Sequence, residues 1–184
     1  MIDSLTFITG NLAKVDWLQR YINIPINHQK LDIAEIQSLD LEEVVKQKTS
    51  EAFKQLQIPL LVEDTALRFN ATGKLPGPLI KWFLEELRTD GLCRLLDSYD
   101  DRTAVAEVMY GLHTGSEVVL FHATMNGTIA DSPRGTNGFG WDNAFIPDGC
   151  AKTWGEMTIE EQNNTSLRKG AINKLNKYLN NKQS

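Results

Sequence analysis

Two different apolar periods alternate along this 184-residue sequence, and that alternation most limits what it can fold into. Leu5–Ile8 is a short continuous apolar run, broken at Thr9-Gly10-Asn11. Ala13–Tyr21 then places Val15, Leu18 and Ile22 at spacings of three to four, the period of a helix with one buried face. A strand, a tight turn and a helix are expected there. Pro25–Leu31 reads as a second strand, and Leu60-Leu61-Val62 as a buried strand ending at Glu63-Asp64. Between these, Asp40 with Glu43 predicts the capped start of a helix running to about Gln55, with Leu41, Val44, Val45, Ala52 and Phe53 apolar.

The second half mixes the same signals differently. Gly73–Pro78 predicts a rigid turn, with one helix over Ile80–Leu87 and a short one over Gly91–Leu96. Ala104–His113 and Val118–Met125, joined at Gly115, predict an antiparallel hairpin. Thr158–Glu161 has capping-box spacing, and Ser166–Leu179 predicts a closing helix with Leu167, Ala171, Leu175 and Leu179 four apart. Strand–helix units together with a hairpin imply an α/β or α+β chain built on one long mixed sheet. Length and the absence of a linker imply a single domain over 1–184.

A net charge of −5 disfavours nucleic acid as a partner. Two distant cysteines, Cys93 and Cys150, favour a reducing, cytoplasmic setting. The N-terminus reads as the first strand rather than a signal peptide, and no apolar run reaches membrane-spanning length.

Three segments can carry chemistry. Thr9-Gly10-Asn11-Leu12-Ala13-Lys14 puts free amides, a helix start and a lysine at one turn, which suits phosphate. It fits a plain strand-to-helix turn equally well. Glu63 and Asp64 are adjacent, so in a strand only one faces a given site, and Asp64 is favoured. With Glu35 it could hold Mg²⁺, which prefers oxygen ligands and phosphates. The alternative is a pair of solvated turn residues. Gly135–Asp142 carries three glycines among aromatics, fit for close approach and stacking on a flat ligand, or for a bulged loop over the core. His28, His113 and His122 fall outside these segments and read as structural or surface residues.

Taken in order, these segments resemble the inosine triphosphate pyrophosphatase family. The resemblance is carried by Thr9-Gly10-Asn11 with Lys14, Val62–Thr65, Leu75–Pro78 with Ile80–Phe83, Gly138–Asp142, Phe145 with Pro147–Gly149, and Glu156-Met157. Leu75–Phe83 is similar to the eukaryotic-type branch. The resemblance implies an elongated central mixed sheet flanked by helices, in two lobes with an active-site cleft between them. It implies a homodimer, dependence on Mg²⁺ with Mn²⁺ as a substitute, and hydrolysis of (deoxy)inosine and xanthosine triphosphates to monophosphate and pyrophosphate.

It also implies roles. Thr9, Gly10, Asn11, Leu12, Ala13 and Lys14 contact the triphosphate with Lys48. Glu35 and Asp64 bind metal, and Asp64 and Lys14 are catalytic. Thr65 and Lys81 lie by the substrate, Phe139, Gly140, Trp141 and Asp142 hold base and sugar, and Ser166 and Arg168 line the base pocket. Two positions depart from the family. Leu167 stands where histidine is usual and Gln162 where lysine is usual, which implies altered base selectivity. The alternative function is a catalytically weak nucleotide-binding sensor.

Overall fold

The computed structural model describes residues 4–181, so Met1–Asp3 of the expected first strand lie outside the described residues, as does the Ala13 side chain. Seven strands form one mixed sheet in the order β2-β1-β3-β5-β6-β7, with β4 paired to β3. The strands are β1 (Leu5–Ile8), β2 (Ile26–Gln29), β3 (Leu60–Phe69), β4 (Pro76–Gly77), β5 (Thr103–His113), β6 (Val118–Ile129) and β7 (Phe145–Pro147). The helices are α1 (Leu12–Gln19), α2 (Leu41–Leu56), α3 (Ile80–Arg94), α4 (Ile159–Asn164) and α5 (Leu167–Asn181). β1 runs parallel to β2 and β3, as strand–helix–strand units require, whereas β4 is antiparallel to β3 and β7 to β6. None of the described helices is long and apolar enough to cross a membrane.

The chain divides into two compact units: residues 1–64, 108–123 and 168–184, and residues 65–107 and 124–167. In the first unit the two faces of the sheet are distinguished by strand alternation. Phe7, Leu61, Glu63 and Tyr110 lie on one face; Phe7 and Tyr110 have ring centroids 6.4 Å apart. Asn176 of α5 donates to the Tyr21 carbonyl, just past α1. The other face carries Gly111 and His113 against α2, where Phe53 stacks on His113 with centroids 3.5 Å apart. Leu5, Leu18, Val45, Leu60, Leu61, Val62, Leu112, Ala171, Ile172 and Leu175 form its apolar interior.

In the second unit Leu67, Phe69, Leu92, Leu96, Ala104, Ala106, Ala144 and Phe145 are fully buried or nearly so. Arg102 ties this unit together by donating to the carbonyls of Cys93, Ile129 and Ala130.

Four expectations need correction. β3 does not end at Glu63-Asp64 but continues to Phe69, because Ala66, Leu67 and Phe69 are apolar enough to stay buried and β4 pairs with Leu67 and Arg68. The Gly73–Pro78 turn contains that β4 pairing. Asp40 does cap α2, accepting from the Glu42 and Glu43 amides, but Glu43 accepts from the Ser38 hydroxyl instead of closing a capping box. β6 runs four residues further than Met125, and β7 was not anticipated. The two-helix reading of 80–96 agrees with a break in α3 at Arg88, where φ is 56°. The Thr158–Glu161 capping box is reciprocal, as its spacing predicts.

Gly111 is required by contact: a Cβ there would collide with the Thr49 hydroxyl and lie 2.8 Å from Val45 Cγ1. Gly111→Ala is expected to cost about 1–3 kcal/mol, the usual cost of overpacking a tight interior. Urea unfolding should show a lower midpoint with an unchanged slope.

Candidate active site

Glu63 is the best-buried charge among the described residues of the first unit. Its side chain is 2% exposed and accepts from three residues. Lys14 Nζ of α1 lies 2.8 Å from Oε1. Arg168 of α5 reaches Oε1 through Nη2 at 3.1 Å, with Nε 3.3 Å from both oxygens. Tyr110 of β5 donates its hydroxyl to Oε2 at 2.5 Å. Burial pushes the Glu63 carboxyl up, but the Arg168 and Lys14 charges outweigh it and hold the group well below the usual carboxylate range. Burial and the adjacent Glu63 push the Tyr110 hydroxyl well up, so it remains a donor.

Asp64 engages a different partner, as alternation along a strand dictates. Lys48 of α2 lies 3.2 Å from Asp64 Oδ2 and 2.6 Å from Glu35 Oε1. Burial alone would lower the Lys48 ammonium, but the Asp64 and Glu35 carboxylates raise it, so it stays charged. Two carboxylates separated by 29 positions thus meet on one cation. Among the described residues no three His, Cys, Asp or Glu side chains converge in this way. A pair of hard oxygen donors suits Mg²⁺, which is commonly held by one or two carboxylates plus phosphates and water.

The Thr9–Lys14 turn follows β1 directly. The Thr9 hydroxyl accepts from the Asn11 amide at 3.1 Å, and Lys14 N donates to the Asn11 carbonyl at 3.2 Å. His28 Nε2 lies 2.6 Å from the Thr9 carbonyl and therefore carries its proton on that nitrogen. His28 lies 19 positions from Thr9 along the sequence. The parallel β1–β2 register, Ile8 opposite Gln29, brings it there. Leu12 opens α1 and is 63% exposed.

The second unit holds the remaining candidates. In the Gly135–Asp142 loop, φ is positive at Gly135, Gly138 and Gly140. Asp142 Oδ2 accepts from the Phe139 amide at 2.8 Å, and a Cβ on Gly138 would lie 2.8 Å from Asp142 Cγ, so this turn needs glycine. The loop is tied to 153–157: Asn137 N donates to the Gly155 carbonyl, Asn137 Nδ2 to the Met157 carbonyl, and Gly155 N to the Asp142 carbonyl. Phe139 is half exposed, and the buried Nε1 of Trp141 has no hydrogen-bond partner. Lys81 lies 5.1 Å from the Trp82 ring. Gln162 donates to the Trp154 carbonyl at 2.7 Å, and Leu167 is buried at 7% exposure. Ser166 immediately precedes α5, and Thr65 follows Asp64 in β3.

The geometry brings Lys14 and Arg168 onto Glu63, and Glu35 and Asp64 onto Lys48. Glu63 and Tyr110 were not singled out as site residues. Glu63 was legible as half of an acidic pair, whereas nothing in the sequence near Tyr110 points to a carboxylate 47 positions away.

The Ham1 family model matches residues 5–178. The chain belongs to the Ham1 family. It is 41% identical over 172 residues to inosine triphosphate pyrophosphatase 2 of Trypanosoma cruzi, covering 91% of this chain and 88% of that protein. Inosine triphosphate pyrophosphatase 1 of the same organism is 40% identical over the same length and shares. Among solved structures, a HAM1 protein from Coxiella burnetii superposes with a TM-score of 0.86 at 25% identity, over 97% of this chain and 98% of that one. The Staphylococcus aureus Ham1 protein gives 0.82 at 23% identity, over 97% and 99%, a likeness of fold. The mixed sheet flanked by helices is the architecture of this family.

The Glu63 pairing has a pH signature. Its folded carboxyl titrates below the ordinary value of 4.5, so its stabilisation is fully present above about that pH and is lost as pH falls further. Removing one partner of a buried pair typically costs about 3–5 kcal/mol. Glu63→Gln should therefore unfold at lower urea concentration than wild type at pH 7, and the gap should narrow as pH drops below 4.5.

Proposed function

We propose that this chain is a nucleoside triphosphate pyrophosphatase that hydrolyses inosine and xanthosine triphosphates, ribo and deoxy, to monophosphate and pyrophosphate. It would thereby clear non-standard purine nucleotides from the pool. The observation that carries this reading is the meeting of Glu35 and Asp64 on the Lys48 ammonium, next to the Glu63 cluster that holds Lys14. The names of the Trypanosoma cruzi relatives support the substrate class.

Glu35 and Asp64 would hold Mg²⁺, for which Mn²⁺ can substitute, and the ion supplies charge neutralisation at the phosphates. The protein residues do the rest. Phosphoryl transfer needs charge placement and in-line positioning more than covalent help. The Thr9–Lys14 turn presents amides and the Lys14 ammonium to the triphosphate, and Lys48 adds a second charge. Asp64 accepts the proton of the attacking water as the phosphoanhydride bond between the α- and β-phosphates breaks. Lys14 offsets the charge that develops on the leaving pyrophosphate. Thr65 and Lys81 flank the substrate. Phe139, Gly140, Trp141 and Asp142 receive base and sugar, and Ser166 and Arg168 line the base pocket. The chain works as a single-domain cytoplasmic enzyme and as a homodimer.

Pyrophosphate release from ITP should require Mg²⁺ or Mn²⁺, and Asp64→Asn should abolish it while leaving the fold intact by circular dichroism. A wild-type protein that binds ITP without releasing pyrophosphate would favour the nucleotide-binding sensor instead.

Base choice is expected to be relaxed. Leu167 offers no hydrogen bond, and the Gln162 amide is engaged by Trp154. One missing base-directed hydrogen bond is worth about 1 kcal/mol, roughly fivefold in kcat/KM. A panel of ITP, XTP, dITP and the four standard triphosphates should show Leu167→His raising the ITP-to-ATP ratio. No change in that ratio would refute this account of selectivity.

A further inference from the structure

We propose that Gln47 is a positioning residue for the carboxylate pair: its side-chain amide pins the segment that carries Glu35 to α2, and so fixes where Glu35 stands relative to Asp64. The inference rests on the reading of Glu35 and Asp64 as the metal-holding groups and deepens it.

Glu35 and Asp64 are held differently. Asp64 lies inside the ladder of β3, which sets its side-chain direction. Glu35 lies in residues 30–38, which form neither helix nor strand, and its side chain is 48% exposed. A segment without a ladder of its own keeps one backbone conformation only through contacts with its neighbours. Here the neighbour is α2. Gln55 Nε2 donates to the Asp32 carbonyl at 3.5 Å, Gln47 Nε2 donates to the Ala34 carbonyl at 3.0 Å, and the Ser38 hydroxyl donates to Glu43 at 2.7 Å. Of the three, the Gln47 bond is the one adjacent to Glu35.

Gln47 and Lys48 are consecutive, as are Ala34 and Glu35, and the two pairs meet. Gln47 takes the backbone and Lys48 takes the carboxylate. These grips are not equivalent. In the proposed reaction Lys48 serves the phosphates and Glu35 turns its oxygens to a cation, so their contact is not what holds Glu35 during turnover. The Gln47 bond is to main chain and does not use the Glu35 oxygens. The Gln47 amide also bears the cost of this task. Its Oε1 is buried and has no hydrogen-bond partner among the described residues. Turning the amide over would set an oxygen against the Ala34 carbonyl, so the Ala34 bond fixes its orientation. A buried acceptor left unpaired costs free energy. A thioether of similar length would avoid that cost, and the amide is kept for the bond its nitrogen makes.

Mn²⁺ titration followed by electron paramagnetic resonance reads metal affinity without turnover. It compares wild type, Gln47→Met, Gln47→Asn and Glu35→Gln. Gln47→Met keeps the length and removes the donor. Its Mn²⁺ dissociation constant should rise roughly tenfold or more, the scale on which a group that orients a metal ligand acts. The Mg²⁺ concentration for half-maximal ITP hydrolysis should rise in step, with kcat retained at saturating Mg²⁺. A merely structural role would lower kcat at every Mg²⁺ concentration. Gln47→Asn, whose amide stops one methylene short, should shift Mn²⁺ affinity in the same direction, and it reads the same role if Gln47→Met does not fold. Unchanged Mn²⁺ affinity in Gln47→Met, or a lowered kcat that Mg²⁺ does not restore, overturns the proposal.

Backbone ¹⁵N relaxation of the metal-free protein reads the segment directly. Order parameters over residues 33–36 should be about 0.85 in wild type and below about 0.6 in Gln47→Met, with α2 and β3 unchanged. Equal order in the two proteins overturns the inference. If wild type binds Mn²⁺ no more tightly than Glu35→Gln, the metal reading falls, while relaxation still decides whether Gln47 holds the segment.

Discussion

A buried carboxylate with three donors on it organises the first unit. Glu63 accepts from Lys14, Arg168 and Tyr110, so a single side chain in β3 joins α1, α5 and β5. Desolvating an ion costs several kcal/mol, and the cost is met only when partners and hydrogen bonds are well placed. Here both oxygens are occupied, which is why the group stays ionised despite its burial.

The pleat of β3 then sorts the chemistry. Adjacent residues of a strand point to opposite faces, so Glu63 and Asp64 cannot serve the same partner. Glu63 takes the face shared with Tyr110 and receives α1 and α5. Asp64 takes the face of α2 and receives Lys48, with Glu35 reaching the same ammonium. One acidic dipeptide thus supports two arrangements, a salt-bridged cluster and a carboxylate pair of the kind that suits a hard cation. Extension of the strand to Phe69 matters here: residues inside a ladder have fixed side-chain directions, which residues in a loop do not.

Much of this was legible in the residues. The period change from Leu5–Ile8 to Val15, Leu18 and Ile22 gives the first strand–turn–helix unit, and Thr158 with Glu161 gives a cap that the structure makes reciprocal. The Arg88 break between two helical stretches was legible because Gly91 restarts the pattern. Other features were not. Glu43 could have closed a box on Asp40, but Ser38 competes for it, and sequence spacing does not rank two local partners. The extent of β3 depends on its pairing with β4, a long-range event that no window of β3 contains. His28 reaches the Thr9 carbonyl only because β2 pairs in parallel with β1.

The sequence by itself determined the order of the elements other than β4 and β7, the chemical types available at the site and the family to which the chain belongs. Those follow from local periodicity and from motifs whose residues are near neighbours. The tertiary structure alone decided which charges meet. Lys14 and Arg168 are joined by Glu63, and Glu35 by Lys48 to Asp64, through strand register and helix placement rather than through spacing along the chain. Coulomb attraction acts over a few ångströms of space, and only folding sets those distances.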